Sequence, residues 1–292
     1  MPASEVGGEV CSRCGGRGWI VEPDGRAGTA RACDCRQASV VPRLLQAAGI
    51  PPRYRCCTLQ NFQIHVDDPR GREQLLGART LSERYVESFL DVEERGFREV
   101  GLLFIGPPGV GKTHLAAAVL SELIRRFRVR GLFVDFTSLV HQIQSTFDPG
   151  APGSKGEILE PVTAAEFLVL DELGAQKPTA WVSDLLYLVM NTRYTRRLPT
   201  LFTTNYRLES APAPAAAVPV PFDRSPERPE WSERADRYDR AERADRTGGG
   251  YELLAARIPP MLVSRLYEMA RPVLLTAVED FRREVKMQQH RV

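Results

Sequence analysis

Eight consecutive residues, Gly106-Pro107-Pro108-Gly109-Val110-Gly111-Lys112-Thr113, fit the spacing G-x-x-x-x-G-K-[ST]. The chemistry that spacing serves is phosphate binding. Glycines let the backbone take up positive φ and turn its N–H groups onto phosphate oxygens. Lys112 would reach the β- and γ-phosphates of a nucleotide, and the Thr113 hydroxyl would ligate Mg²⁺. A helix beginning near His114 would add the positive end of its dipole. From average residue frequencies such a match arises by chance in roughly 1% of chains this long. The apolar run before it and the Ala-rich run after it lower that further.

A second constellation fits the first. Phe167-Leu168-Val169-Leu170 reads as a buried strand and ends in Asp171-Glu172. Asp171 would hold Mg²⁺ through water, and Glu172 would polarise an attacking water as general base. Alone, the pair reads as a strand end with solvated acids. With a phosphate loop upstream, adjacent carboxylates suit hydrolysis, one for the metal and one for the water. Thr203-Thr204-Asn205 closes another apolar run, and Asn205 either orients that water or simply terminates a strand. Ser264-Arg265-Leu266 and Asp280-Phe281-Arg282-Arg283 offer guanidinium groups to a γ-phosphate, in cis or from a neighbouring subunit, or else form surface ion pairs.

Four of the six cysteines form a third cluster. Cys11-x-x-Cys14 and Cys33-x-Cys35, separated by 18 residues, supply four thiolates, the usual shell of a structural zinc site. Gly15, Gly16 and Gly18 permit the tight turn that aims amide groups at sulfur. Zinc would stabilise a segment that lacks a core of its own. A redox dithiol or an untethered thiol-rich tail are the other readings. Cys56 and Cys57, further on, are expected to pack.

These residues need elements to position them. The 292 residues are 43% hydrophobic and 26% charged, which excludes collagen-like, wholly disordered and membrane-spanning classes. No apolar stretch approaches a bilayer span, and MPASEVGGEV lacks the regions of a secretion signal. A cytoplasmic protein that does not engage membranes is expected. The net charge of +2 leaves nucleic-acid binding to local patches. Residues 1–40 read as the zinc-binding module. Residues 41–100 read as a helical linker: PRLLQAAGI, a Gly49–Pro51 break, then a helix over REQLLGARTLSERYVESFLDVEERG. Residues 101–209 alternate short apolar runs (GLLFIG, GLFVDF, FLVLDE, TLFTTN) with helices, the pattern of an α/β core with a parallel sheet buried on both faces. In the helix after the phosphate loop, Leu115, Val119, Leu123 and Phe127 mark the buried stripe. Residues 210–250 are Pro/Ala-rich and then charged, and read as a flexible insert or a solvated helix. Residues 251–292 recover an apolar pattern that should pack back on the core.

Together these residues resemble the AAA+ ATPases of the DnaC/DnaI helicase-loader and IstB transposition-helper group, over roughly residues 41–206 and 251–283. Ile50-Pro51-Pro52-Arg53-Tyr54 and Leu59-Gln60-Asn61-Phe62 look like the family's segment ahead of the phosphate loop, and Ile50 and Tyr54 would line the adenine pocket. Leu170-Asp171-Glu172-Leu173-Gly174 matches the family's strand–acid pattern. The resemblance places the arginine finger at Arg265, the sensor-1 asparagine at Asn205 and the sensor-2 arginine at Arg282. The insert at 210–250 departs from the family pattern.

The resemblance implies an ATPase that uses ATP and Mg²⁺, self-associates through its finger and binds single-stranded DNA. Candidate DNA contacts are the helix in Thr137–Phe147 with the loop carrying Lys155, and the run Arg125, Arg126, Arg128, Arg130, which also reads as a solvated helix end. The leading expectation is a loader of the replicative DNA helicase, docked through the zinc module. An IstB-like helper of a DNA transposase and a nucleotide-bound adaptor without turnover are the alternatives. A small-molecule kinase finds no acceptor site here.

Overall fold

The computed structural model describes residues 19–22, 29–32, 40–64, 66–91, 96–97, 100–147, 154–208, 252–278 and 280–281. Cys11, Cys14, Cys33, Cys35, Arg282 and the insert at 210–250 lie outside the described residues.

The four apolar runs of the core form strands: β5 (Gly101–Ile105), β6 (Gly131–Asp135), β7 (Phe167–Asp171) and β8 (Thr200–Thr204). With β9 (Ala270–Leu274) they make one five-stranded sheet, ordered β6-β7-β8-β5-β9 and parallel throughout. Alternate residues of one strand feed opposite cores. Leu102 and Phe104 pack into one hydrophobic cluster, Leu103 and Ile105 into the other. Burial on both faces is why these strands read as continuous apolar runs and not as alternating ones.

One face is covered by α1 (Val40–Ala47), α2 (Pro69–Glu87) and α3 (Lys112–Phe127). In α3, Leu115, Val119 and Leu123 are buried and Phe127 is half-buried; Ala116–Ala118, Leu120 and Ile124 are buried as well. Its small residues let it sit between the sheet and its neighbouring helices. The other face is covered by α4 (Phe136–Ser145), α5 (Lys155–Ala164), α6 (Ala180–Thr195) and α7 (Pro260–Met269).

Two expectations change, and one element is added. The long linker helix ends at Glu87, where Ser88 caps it by donating its N–H to the Arg84 carbonyl; Leu90–Asp91 (β3) and Gly96–Phe97 (β4) then pair as a short antiparallel hairpin. Lys155 is not on a loop. Ser154 and Glu157 form a reciprocal capping box that starts α5 at Lys155. The C-terminal segment contributes a strand as well as a helix, because β9 adds to the edge of the sheet beside β5. Its Pro272 is tolerated there because an edge strand has one side without ladder partners.

Two smaller pairings lie outside the main sheet. Trp19–Glu22 (β1) and Thr29–Ala32 (β2) pair antiparallel. Arg207 and Leu253 form a parallel bridge, with Leu254 N–H donating to the Arg207 carbonyl at 2.7 Å, so the chain leaves for residues 209–251 and returns at one point. Among the described residues no helix is long and apolar enough to cross a membrane.

Candidate nucleotide-binding site

The site lies at the carboxyl edge of the sheet, where open parallel sheets bind their ligands. β5 delivers the phosphate loop. Gly111 ends it at φ +94°, and a Cβ there would lie 2.5 Å from the Phe62 ring, so both backbone and space require glycine. Lys112 is buried and curls back over the loop, its Nζ donating to the carbonyls of Gly106 (2.8 Å) and Pro107 (2.7 Å). These acceptors hold the ammonium where phosphate oxygens would compete for it.

β7 delivers Asp171, 6% exposed, and the Thr113 hydroxyl lies 3.2 and 3.3 Å from its two carboxylate oxygens. A hydroxyl and a buried carboxylate converging beside a phosphate loop are the hard oxygen donors that Mg²⁺ takes. Burial raises the Asp171 pKa to about 6. The charges of Glu172 and Asp135 push the same way, while hydrogen bonds from Thr203 and Thr113 oppose the shift. Glu172 follows in the left-handed region at φ +59°, which costs a non-glycine residue about 1–2 kcal/mol. Its turn is fastened to β8: Leu173 N–H donates to the Thr203 carbonyl at 2.8 Å, and the Thr204 hydroxyl donates to the Leu173 carbonyl at 2.8 Å. Arg257 holds the next stretch by donating to the carbonyls of Gly174 (2.9 Å), Ala175 (3.2 Å) and Gln176 (3.3 Å).

These groups border one cleft of about 300 Å³. Lys112 and Thr113 line one side, and Glu172, Thr203 and Asn205 the other. Arg53, Tyr54 and Cys57 close it from the segment ahead of the phosphate loop. An apolar compartment of about 210 Å³, lined by Phe62, Val66, Val110 and Val278, adjoins it and shares Gly109, Gly111, His114 and Phe281. A polar cleft beside an apolar one matches a nucleotide, charged at one end and aromatic at the other. The leading segment is held by His114, whose Nε2 donates to the Thr58 carbonyl at 2.9 Å and whose ring meets Phe62 edge-on at 5.3 Å. Asn61 locks the turn beneath by accepting from Thr58 N–H and donating to the Cys56 carbonyl, both at 2.8 Å.

Of the residues singled out from the sequence, the phosphate loop, Tyr54, His114, Asp171, Glu172 and Asn205 come together here. Ile50 does not. Its apolar side chain is buried in the hydrophobic cluster on that face of the sheet, and it lines a separate depression with Leu45, Arg55 and Ser121. Arg265 lies on α7, stacked 5.1 Å from the Tyr187 ring and 5.5 Å from the Tyr194 ring, and its Nη1 is buried without a hydrogen-bond partner. Cys57 is buried, and burial together with Cys56 pushes its thiol up to about 11; Cys56 is exposed rather than packed. Thr203, Arg53, Phe62 and Phe281 line the site without having drawn a role from their residue types. The position of Thr203 beside Asn205 at a strand end was the available signal.

α4 and the residue after its cap present Phe147, 58% exposed, edge-on to Trp181 at 5.5 Å. The arginine run is tied into ion pairs at the surface, Arg125 and Arg126 with Glu122 and Arg130 with Glu166. Among the described residues no three His, Cys, Asp or Glu side chains gather to hold a metal by themselves.

Known proteins resemble this chain in sequence and in fold. Residues 77–212 match the family described as IstB-like ATP binding protein. The replicative helicase loader DnaC of Escherichia coli (strain K12) is 27% identical over 173 residues, covering 59% of this chain and 65% of that protein, so the chain spans less than two thirds of its relative's length. The crystal structure of the DnaC helicase loader superposes with a TM-score of 0.52 at 25% identity, over 77% of this chain and 99% of that one. AMPPCP-bound DnaA from Aquifex aeolicus shares the fold, with a TM-score of 0.50 at 14% identity over 83% of this chain and 56% of that one.

Proposed function

We propose, from the premise that residues 77–212 are an IstB-like ATP-binding domain homologous to the replicative helicase loader DnaC, that this chain is a Mg²⁺-dependent ATPase that loads or remodels the replicative DNA helicase on single-stranded DNA. The observation that carries the reading is the convergence of Lys112, Thr113, Glu172 and Asn205 on one cleft, with Asp171 directly behind Thr113.

Lys112 leaves its two carbonyls for the β- and γ-phosphates, and the loop amides take the remaining oxygens. Thr113 and Asp171 hold Mg²⁺, which neutralises charge on the phosphates when bound. Glu172 accepts a proton from the attacking water as the new oxygen–phosphorus bond forms and the bond to ADP breaks. Asn205 orients that water. Arg265, supplied by a neighbouring copy, and Arg282 stabilise the charge that develops. The apolar compartment beside Phe62 takes the adenine, with Tyr54 at its polar border. Turnover is weak alone and stimulated by DNA or partner. Cys11, Cys14, Cys33 and Cys35 hold a structural zinc, a reading supported by the β1–β2 hairpin lying between the two cysteine pairs in the chain. Single-stranded DNA crosses α4, where the exposed Phe147 offers a stacking face. Residues 1–40 serve as the helicase-docking module, 41–100 as the linker, 101–209 and 251–292 as the ATPase, and 210–250 as an insert.

Light scattering on a size-exclusion column tests the loader role, with the protein, the replicative helicase of its organism and ATP mixed. A co-eluting complex that disappears when residues 1–40 are deleted is expected. No complex at micromolar concentration overturns the helicase assignment. The family description favours a second reading in that event, an ATP-dependent helper of a DNA transposase.

A further inference from the structure

Thr203 is 1% exposed, and its hydroxyl stands between the two carboxylate residues of the cleft. It donates to Asp171 Oδ1 at 2.5 Å and accepts from the backbone N–H of Glu172 at 3.0 Å. A hydroxyl has one proton to give and lone pairs to receive, so a single oxygen satisfies both neighbours at once. Its own backbone carbonyl accepts from Leu173 N–H at 2.8 Å. One residue of β8 therefore sets the position of Asp171, the peptide plane entering Glu172 and the peptide plane leaving it. Glu172 sits at φ +59°, a conformation held only where the surroundings over-determine it. Its neighbour Thr204 is spent elsewhere, on the Leu173 carbonyl.

We propose that Thr203 is a positioning residue for the ATPase reaction: through one hydroxyl it registers the metal-holding carboxylate against the water-polarising one. The inference rests on the roles given above to Asp171 and Glu172. It makes the spacing between the two acids a property of β8 and not of the Asp-Glu sequence alone. Thr203 touches neither nucleotide phosphate nor water in this scheme and acts through its two neighbours.

Thr203→Val keeps the shape and removes the hydroxyl, whereas Thr203→Ser keeps the hydroxyl and removes a methyl. Three readouts separate the possibilities: thermal melting for folding, affinity for a fluorescent ATP analogue with EDTA and with Mg²⁺, and steady-state kcat and KM. Thr203→Val is expected to melt as a folded protein and to bind the analogue in EDTA within about twofold of wild type. It should lose about ten- to hundredfold in kcat, the range expected when a hydrogen bond to a charged group is removed. The gain in affinity that Mg²⁺ confers should shrink, and Thr203→Ser should restore both properties. Thr203→Val with wild-type kcat and an undiminished Mg²⁺ gain overturns the proposal, as does a Thr203→Ser variant as impaired as the valine. If the wild-type protein itself shows no turnover with DNA and helicase present, the hydrolytic reading fails. The Mg²⁺ gain, measured without turnover, still decides whether Thr203 positions Asp171.

Discussion

Asp171 is held in a place that suits a metal better than a bare carboxylate. Burial lifts its pKa from 3.8 to about 6, so between those values the folded chain binds a proton that the unfolded chain has released. Stability is therefore gained as pH falls through about 6 and lost as pH rises through it. Above pH 6 the nucleotide-free protein carries a destabilisation of about 3 kcal/mol from this side chain, two pKa units at 1.36 kcal/mol each. Asp171→Asn removes the charge and leaves an acceptor for Thr203. It should raise the melting temperature of the nucleotide-free protein at pH 7.5, with the advantage fading toward pH 4, while abolishing Mg²⁺-dependent turnover. Melting curves across that range check the sign, and a variant less stable than wild type at pH 7.5 would refute the account. The gain in stability with loss of activity is the trade expected where a site is built for a ligand it must wait for.

At the scale of elements, the joint between α5, α6 and β8 depends on one buried cation. Arg193 is fully buried, and desolvation pulls its guanidinium down to about 9, still charged at neutral pH. It donates through Nε to the Thr200 hydroxyl (2.8 Å), through Nη1 to the carbonyls of Val162 (3.1 Å) and Ala165 (2.9 Å), and through Nη2 to that of Pro199 (2.9 Å). Arg193→Met fills similar space but leaves these acceptors dry, and should cost about 3–5 kcal/mol, read from the denaturant midpoint. Arg193→Lys should recover only part, because an ammonium cannot span the same fork. A loss below about 1 kcal/mol would mean that water reaches those acceptors.

Arg193 also marks where the sequence stops being legible. In Thr192-Arg193-Tyr194-Thr195-Arg196-Arg197 it is indistinguishable from the surface arginines beside it, since two of the three carbonyls that hold it, those of Val162 and Ala165, come from the far end of α5. β9 was hidden for a related reason: an edge strand of five residues with a proline and an arginine lacks the apolar run that revealed the four interior strands. The end of α2 was masked because helical apolar spacing continues past Glu87 while the backbone turns into a hairpin. Where signals were local, as in the phosphate loop and the Asp-Glu strand end, residue type alone placed them. Thr203 stood in plain view, and only the pairing of β7 with β8 shows what its hydroxyl meets.

At the scale of the whole molecule, the cleft and the proposed finger belong to different faces of one chain. Arg265 borders neither the polar cleft nor the apolar compartment, and its guanidinium is held over Tyr187 and Tyr194 on α6 with one nitrogen unpartnered. Tyr194 is fixed in turn by donating its hydroxyl to Glu268 at 2.7 Å. In the proposed assembly Arg265 would complete a site on another copy, in a head-to-tail contact in which each copy gives a cleft on one side and an arginine on the other. Two variants inactive for different reasons should therefore rescue each other. Lys112→Ala loses its cleft and keeps its finger; Arg265→Ala keeps its cleft and loses its finger. Mixed in equal amounts with DNA and helicase, random assembly puts the Arg265→Ala cleft against the Lys112→Ala finger at about a quarter of contacts. ATP turnover should return to that fraction of wild type, while each variant alone stays silent. Absence of any recovery, in mixtures that scattering shows to be co-assembled, would place the activating arginine within the same chain, and a second copy would then contribute no group to the chemistry.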